Sequence, residues 1–217
     1  GQPGVESRVE AFALMRRPVS NAQFLEFVRT HPDWQRGATP EVFADGQYLS
    51  HWTQPLDLGE AGANAPVTRV SWFAASAYCE AQGGRLPTWL EWEYVAASDE
   101  TRRDARQDPA WRERILGWYS RTGGSALPEV GQTPENIYGV QDVHGLVWEW
   151  VEDFNALMIS ADNREQGDPD LLRFCGAGSL SASDRDNDAI LMRTAMLSAL
   201  RANATTRNLG FRCARDP

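Results

Sequence analysis

The chain has 217 residues, 42% of them hydrophobic, and a formal net charge of −9, which suits a single globular domain with a sizeable core and does not call for two. The acidic balance argues against nucleic acid or anionic membrane surfaces as partners, because both are gripped mainly by Lys and Arg. No apolar run approaches the roughly 20 residues that span a bilayer, and the opening GQPGVESRVE lacks the basic and apolar regions of an export signal, so a signal or lipid anchor would have to precede Gly1.

After an extended N-terminal segment, Ser20 stands as cap to NAQFLEFVRT, where Phe24, Phe27 and Val28 recur at helical spacing. A short amphipathic helix is predicted there. Residues 33–65 are rich in Gly, Pro, Asp and aromatics without a sustained period, which predicts ordered loop with short strands at most. A second helix is predicted from the Ser71 cap through Phe73, Ala77 and Tyr78 to a Gly83–Gly84 terminator. A third starts at Thr88, where T-x-x-E places Glu91 to complete a capping box ahead of Trp92 and Val95. Residues 99–116 mix charges densely and read as a surface insertion with a solvated face, helical after Pro109. Residues 117–139 read as loop again. Nine tryptophans in a chain with so little periodicity predict that ring packing holds irregular backbone in place, since each large ring buries about 150–250 Å².

Three cysteines, Cys79, Cys175 and Cys213, allow at most one internal disulfide and leave one thiol over. The residues alone leave open whether two are bridged or all are reduced and buried. His31, His51 and His144 show no HxH or HxxxH spacing, so no zinc signature is assembled locally. Gly83–Gly84 and Gly123–Gly124 lack the Lys and the strand-to-helix setting of a phosphate loop.

Four blocks carry more specific information: PVSNAQFLEFV (18–28), GRLPTWLEWEY (84–94), DVHGLVWEW (142–150) and TRNLGFRCA (206–214). In this order, and spanning nearly the whole chain, they resemble the formylglycine-generating enzyme family, also called the sulfatase-modifying-factor domain. The resemblance implies one α+β domain over residues 1–217 with a C-type-lectin-like architecture and little regular secondary structure. It also implies that Cys79 and Cys213 are bridged, and with them an oxidising compartment, periplasmic or secreted.

The family binds calcium at the turn corresponding to 142–150, which implies a Ca²⁺ site from the side chains of Asp142 and Glu149 and the carbonyls of Gly145 and Val147. The alternative is that the two carboxylates are satisfied by Arg or by backbone N–H groups. Leu146 stands where relatives carry Asn, and residues 119–135 offer no counterpart to the family's second calcium segment. The catalytic centre would follow a turn written here as GAGSL (176–180), in which Ser179 matches the family's active-site Ser. Catalytic relatives then supply a copper-binding cysteine pair, but residues 181–205 contain no cysteine. Copper(I) favours thiolates, so formylglycine synthesis by the family's route is not expected. The three-histidine iron centre of the related sulfoxide synthases has no local counterpart either.

Two uses of the remaining residues follow. Cys175, with Met192, Met196 or His144, could hold copper or iron in an oxidase of altered chemistry, against a plain packing role for the same side chains. Arg193, Arg201, Arg207 and Arg212 could bridge the C-terminal block to Glu149, Glu91 or Glu93, or else Arg193 or Arg201 could clamp a substrate carboxylate. The leading expectation is a non-catalytic extracytoplasmic accessory or maturation factor that holds a protein or peptide partner in a groove containing Ser179, Cys175 and Arg193. The alternatives are the copper or iron oxidase and a calcium-dependent, lectin-like ligand-binding module.

Overall fold

A computed structural model of the chain describes residues 8–119, 127–157 and 188–217. Helices carry most of its regular structure: α1 Asn21–Thr30, α2 Trp72–Ala81, α3 Trp89–Ala96, α4 Pro109–Tyr119 and α5 Asp188–Ser198. Four two-residue strands form two minimal ladders. In one, β1 Ala13–Leu14 pairs antiparallel with β4 Ala214–Arg215; in the other, β2 Trp148–Glu149 runs parallel to β3 Leu209–Gly210. The C-terminal stretch therefore reaches both the chain's N-terminal part and its middle.

The helix starts follow their sequence signals. Ser20 and Gln23 form a reciprocal capping box on α1, and Thr88 and Glu91 form another on α3, so orphan N–H groups at each start are satisfied by side chains. Ser71 caps α2 through the N–H of Ala74. Gly83, at φ +72, ends that helix in a conformation that costs other residues a steric penalty. Gly84 serves differently: a Cβ there would lie 2.4 Å from the carbonyl oxygen of Ala214. The approach is close because Arg85 and Ala214 exchange backbone hydrogen bonds of 2.9 and 2.7 Å.

The core is a lattice of rings. Phe24 lies 5.8 Å from Tyr78, 6.0 Å from Phe211 and 6.3 Å from Trp52, in the offset and edge-on range that aromatic pairs prefer. Indoles packed around it also spend their one donor: Trp52 on Asn21 Oδ1, Trp72 on the Val151 carbonyl, Trp150 on the Val70 carbonyl and Trp92 on Glu149. Each ring thus fixes a loop or side chain as well as filling space. Cys79 and Cys213 are joined in a disulfide that closes a 134-residue separation between α2 and the C-terminal stretch.

Residues 99–116 are not the purely solvated face that their charges suggest. Glu100 and Arg114 do pair at the surface, yet Ala105, Trp111 and Ile115 are buried in a second, smaller core with Ala189 of α5. Trp111, Ile115 and Trp118 stand at i, i+4 and i+7, an apolar stripe on one side of α4. The helix after Pro109 forms where the sequence places it, and that stripe turns it inward.

His51 sits half-buried beside Asn21 and Trp52. Burial lowers its pKa to about 4, helped by the positive charges of Arg69 and Arg36. An unfolded chain would take up this proton near the ordinary value of 6.5, so the stability that depends on a neutral His51 is complete above that pH and is lost as pH falls toward 4. Thermal melts across that window should show a falling midpoint for the parent chain and a shallower fall for His51→Gln.

Candidate functional site

The turn at residues 142–150 lies against β3, with the N–H of Trp148 on the Asn208 carbonyl and that of Trp150 on the Gly210 carbonyl. At its centre Glu149 and Arg212 form an ion pair whose side chains are both fully buried. Arg212 presents a fork: Nε donates to Glu149 Oε2 and Nη2 to Glu149 Oε1, each at 2.8 Å. Nη1 reaches the carbonyls of Met15 and Arg16, and Nη2 also donates to that of Gln141. All five guanidinium N–H donors are thereby used. Trp92 Nε1 adds a bond of 2.9 Å to Glu149 Oε2. A buried charge is tolerated only when paired and hydrogen-bonded in this way.

Asp142 serves a different cluster. Its φ is +57, and its carboxylate accepts from the backbone N–H groups of Gly131 and Thr133 and from the Thr133 hydroxyl. Gln141 beside it donates to the carbonyls of Gly131 and Thr133 and accepts from Arg17 Nε. Asp142 thus pins the loop at 131–133, while Glu149 neutralises Arg212.

This arrangement does not fit the calcium ion that the sequence resemblance implies. Calcium takes 6–8 oxygens and depends on carboxylates to balance its charge. Here the oxygens of Glu149 accept from a guanidinium fork and an indole, and those of Asp142 from three donors of the neighbouring loop. The positive group against Glu149 is Arg212 itself. Gly145 and Val147 flank the buried Leu146.

The other arginines divide between ion pairs and surface. Arg193 on α5 grips Glu93 of α3 with bonds of 2.7 and 2.6 Å and lies 5.0 Å over the Trp92 ring. At 4% exposure it is an inter-helix clasp, its guanidinium held by the Glu93 carboxylate. Arg201 and Arg207 are exposed. Glu91 is held by Arg85, which also binds Asp216, a link that the sequence did not single out although Glu91 belongs to the predicted capping box and Arg85 lies three residues before its Thr88. Ser179 and Cys175 lie outside the described residues.

His144 is enclosed by the rings of Trp92, Trp111 and Trp118 at 6.0, 5.8 and 6.1 Å, with Nε2 2.8 Å from the Ala96 carbonyl. Burial pushes its pKa down to about 3, and Arg193 adds to the effect. Met192 is exposed, whereas Met196 packs on the core. These surroundings give His144 and Met196 packing roles.

Removing one member of the buried pair should strand the other. Arg212→Met or Glu149→Leu alone is expected to cost about 3–5 kcal/mol, and the double variant less than the sum of the two, as chemical denaturation of all four chains would measure. Metal removal supplies a separate check: a chelator should leave the thermal midpoint unchanged, whereas a calcium-dependent drop of several degrees would restore calcium to this turn.

Residues 2–217 match the family described as the sulfatase-modifying factor enzyme 1-like domain. Among similar proteins, the inactive C-alpha-formylglycine-generating enzyme 2 of Mus musculus is 29% identical over 250 residues, covering 98% of this chain and 77% of that protein. The formylglycine-generating enzyme of Streptomyces coelicolor is 29% identical over 252 residues, covering 96% of this chain and 79% of that protein. The hercynine oxygenase of Mycobacterium tuberculosis is 31% identical over 161 residues, covering 65% of this chain and 37% of that protein. The bridged cysteines and the buried turn both fall within the family match, and the chain belongs to the sulfatase-modifying factor enzyme 1-like domain family.

Proposed function

We propose that this protein is a divergent member of its family that has kept the scaffold and lost formylglycine synthesis, and that it acts outside the cytoplasm as an accessory or maturation factor holding a protein or peptide partner. Cysteine arithmetic carries the reading. Of three cysteines, two are joined in the buried disulfide, and residues 181–205 contain none. Cys175 is left as a single thiol, while copper(I) chemistry of the family type draws on a thiolate pair. Similarity over 98% of the chain to a mouse protein named as inactive supports the same conclusion.

The setting follows from the disulfide, which persists in oxidising compartments such as the periplasm or the extracellular space. Short helices and two-residue strands around an aromatic core support a single α+β domain of C-type-lectin-like architecture. With Arg193 committed to Glu93, partner recognition in the groove would fall to Ser179, Cys175 and the surfaces beside them. Copper or iron held by Cys175 with the methionines draws support only from the likeness to the hercynine oxygenase, which covers 65% of the chain. The lectin-like reading needs a calcium that the carboxylate partners at 142–149 leave little reason for.

A peptide carrying the sulfatase cysteine motif, incubated with the copper-supplemented protein, oxygen and a reductant, tests the reading directly. Mass spectrometry should find the cysteine unconverted. An aldehyde formed with turnover would contradict it.

A further inference from the structure

Apolar side chains scattered singly over a surface need no explanation, but the turn at residues 40–45 presents two of them side by side. Val42 is 68% exposed and Phe43 42%. Phe43 stands edge-on to Trp34 at 6.3 Å and to Phe73 at 5.3 Å, and Phe73 stands edge-on to Trp72 at 5.5 Å. With Trp34, Phe73 and Trp72 half-buried, a row of rings leads from this turn to α2. The turn is held firmly. The N–H of Phe43 donates to the Pro40 carbonyl at 2.9 Å, Asn203 Nδ2 donates to the Glu41 carbonyl at 3.0 Å, and the N–H of Asp45 donates to the Asn203 carbonyl at 2.8 Å. The Asp45 carboxylate also accepts from the N–H and the hydroxyl of Thr205. Polar contacts on both sides thus fix an apolar pair in solvent, although burying it would be favourable. A ledge of rings ordered in advance loses little entropy on association, and aromatic side chains dominate the centres of protein interfaces.

Two carboxylates set the charge of what would cover the ledge. Asp33 immediately precedes Trp34, and Glu41 immediately precedes Val42; both are exposed. Their turns are tied together by the Thr39 hydroxyl, which donates to the Asp33 carbonyl at 2.9 Å. Among the described residues neither carboxylate has a hydrogen-bond or ion-pair partner. Arg36, between them in sequence, donates to the carbonyls of Trp52 and Thr53 instead. A second copy of the chain packed on the same face would bring like charges together, in a protein whose net charge is already −9. A cationic partner meets the opposite situation, since its charges would find carboxylates that are free to receive them.

We propose that this ledge is a docking surface for a basic amphipathic segment of a partner protein. Apolar side chains of the segment pack on Val42, Phe43 and Phe73, and Lys or Arg beside them meets Asp33 and Glu41. None of these residues belongs to the groove invoked above with Ser179 and Cys175, so either proposal can fail without the other.

Three fluorescein-labelled peptides test it by anisotropy against the full chain: one of Leu and Lys in amphipathic helical spacing, one with Glu in place of Lys, and one with Ser in place of Leu. The Leu–Lys peptide should bind at least about tenfold more tightly than either counterpart, and Phe43→Ser, Val42→Ser or the pair Asp33→Asn with Glu41→Gln should each weaken it by a similar factor. Glu113→Gln, an exposed carboxylate on α4, should leave binding unchanged. Equal affinity for the three peptides would overturn the proposal, as would a loss on Glu113→Gln as large as that at Asp33 and Glu41, which would reduce the effect to overall charge. Sedimentation of the parent chain supplies the remaining outcome: a dimer that Val42→Ser dissolves would assign the ledge to a second copy and overturn the proposal as well. The peptide comparison decides the matter on the parent chain even if Phe43→Ser fails to fold.

Discussion

Glu149 and Arg212 meet in a pocket from which water is excluded, and the surrounding backbone has to be placed to keep that pair satisfied. Arg212 reaches Met15 and Arg16 near the N-terminus and Gln141 at the start of the turn, while Glu149 reaches Trp92 on α3. Three stretches distant in sequence are thereby held against the C-terminal segment. The extended backbone alternates its faces, which explains why the neighbours of Arg212 do different work. Phe211 and Cys213 enter the aromatic core and the disulfide with α2, and Ala214 pairs with Leu14 and Arg85. With four two-residue strands among the described residues, the fold depends on such long-range side-chain contacts, because these ladders supply few of them.

This division clarifies what the family scaffold retains and what it has given up. The elements that hold the chain together are present: capped helices, a buried fork, indole donors with acceptors and a cross-link over 134 residues. The thiolate pair that would bring copper to the centre is missing from the sequence between residues 181 and 205. Stability and oxidative chemistry use different residues here. One can be lost while the other is kept.

Much of the framework was legible in the residues. Ser20, Ser71 and Thr88 announce helices because capping is local chemistry with fixed offsets, and all three cap as expected. The bridge between Cys79 and Cys213 came from family resemblance. What the sequence could not assign was which distant groups meet. Arg212 had three acidic candidates, and the selection of Glu149 rests on the parallel pairing of β2 with β3, a long-range register that no local pattern encodes. The hydrogen-bond partners of Asp142 lie in a segment whose sequence shows only loop, so no local pattern pairs them with it. In α4 the density of Arg, Glu and Asp masked the stripe of Trp111, Ile115 and Trp118, although its helical spacing was there to be counted.

The central claim is that this scaffold lacks the sulfur ligands of an oxygen-activating copper centre. Anaerobic titration of the disulfide-intact protein with copper(I), against a chromophoric competitor, measures that property without reference to any substrate. The account predicts no tight stoichiometric site. One copper ion bound per chain in competition with the chelator, and released by Cys175→Ala, would contradict it.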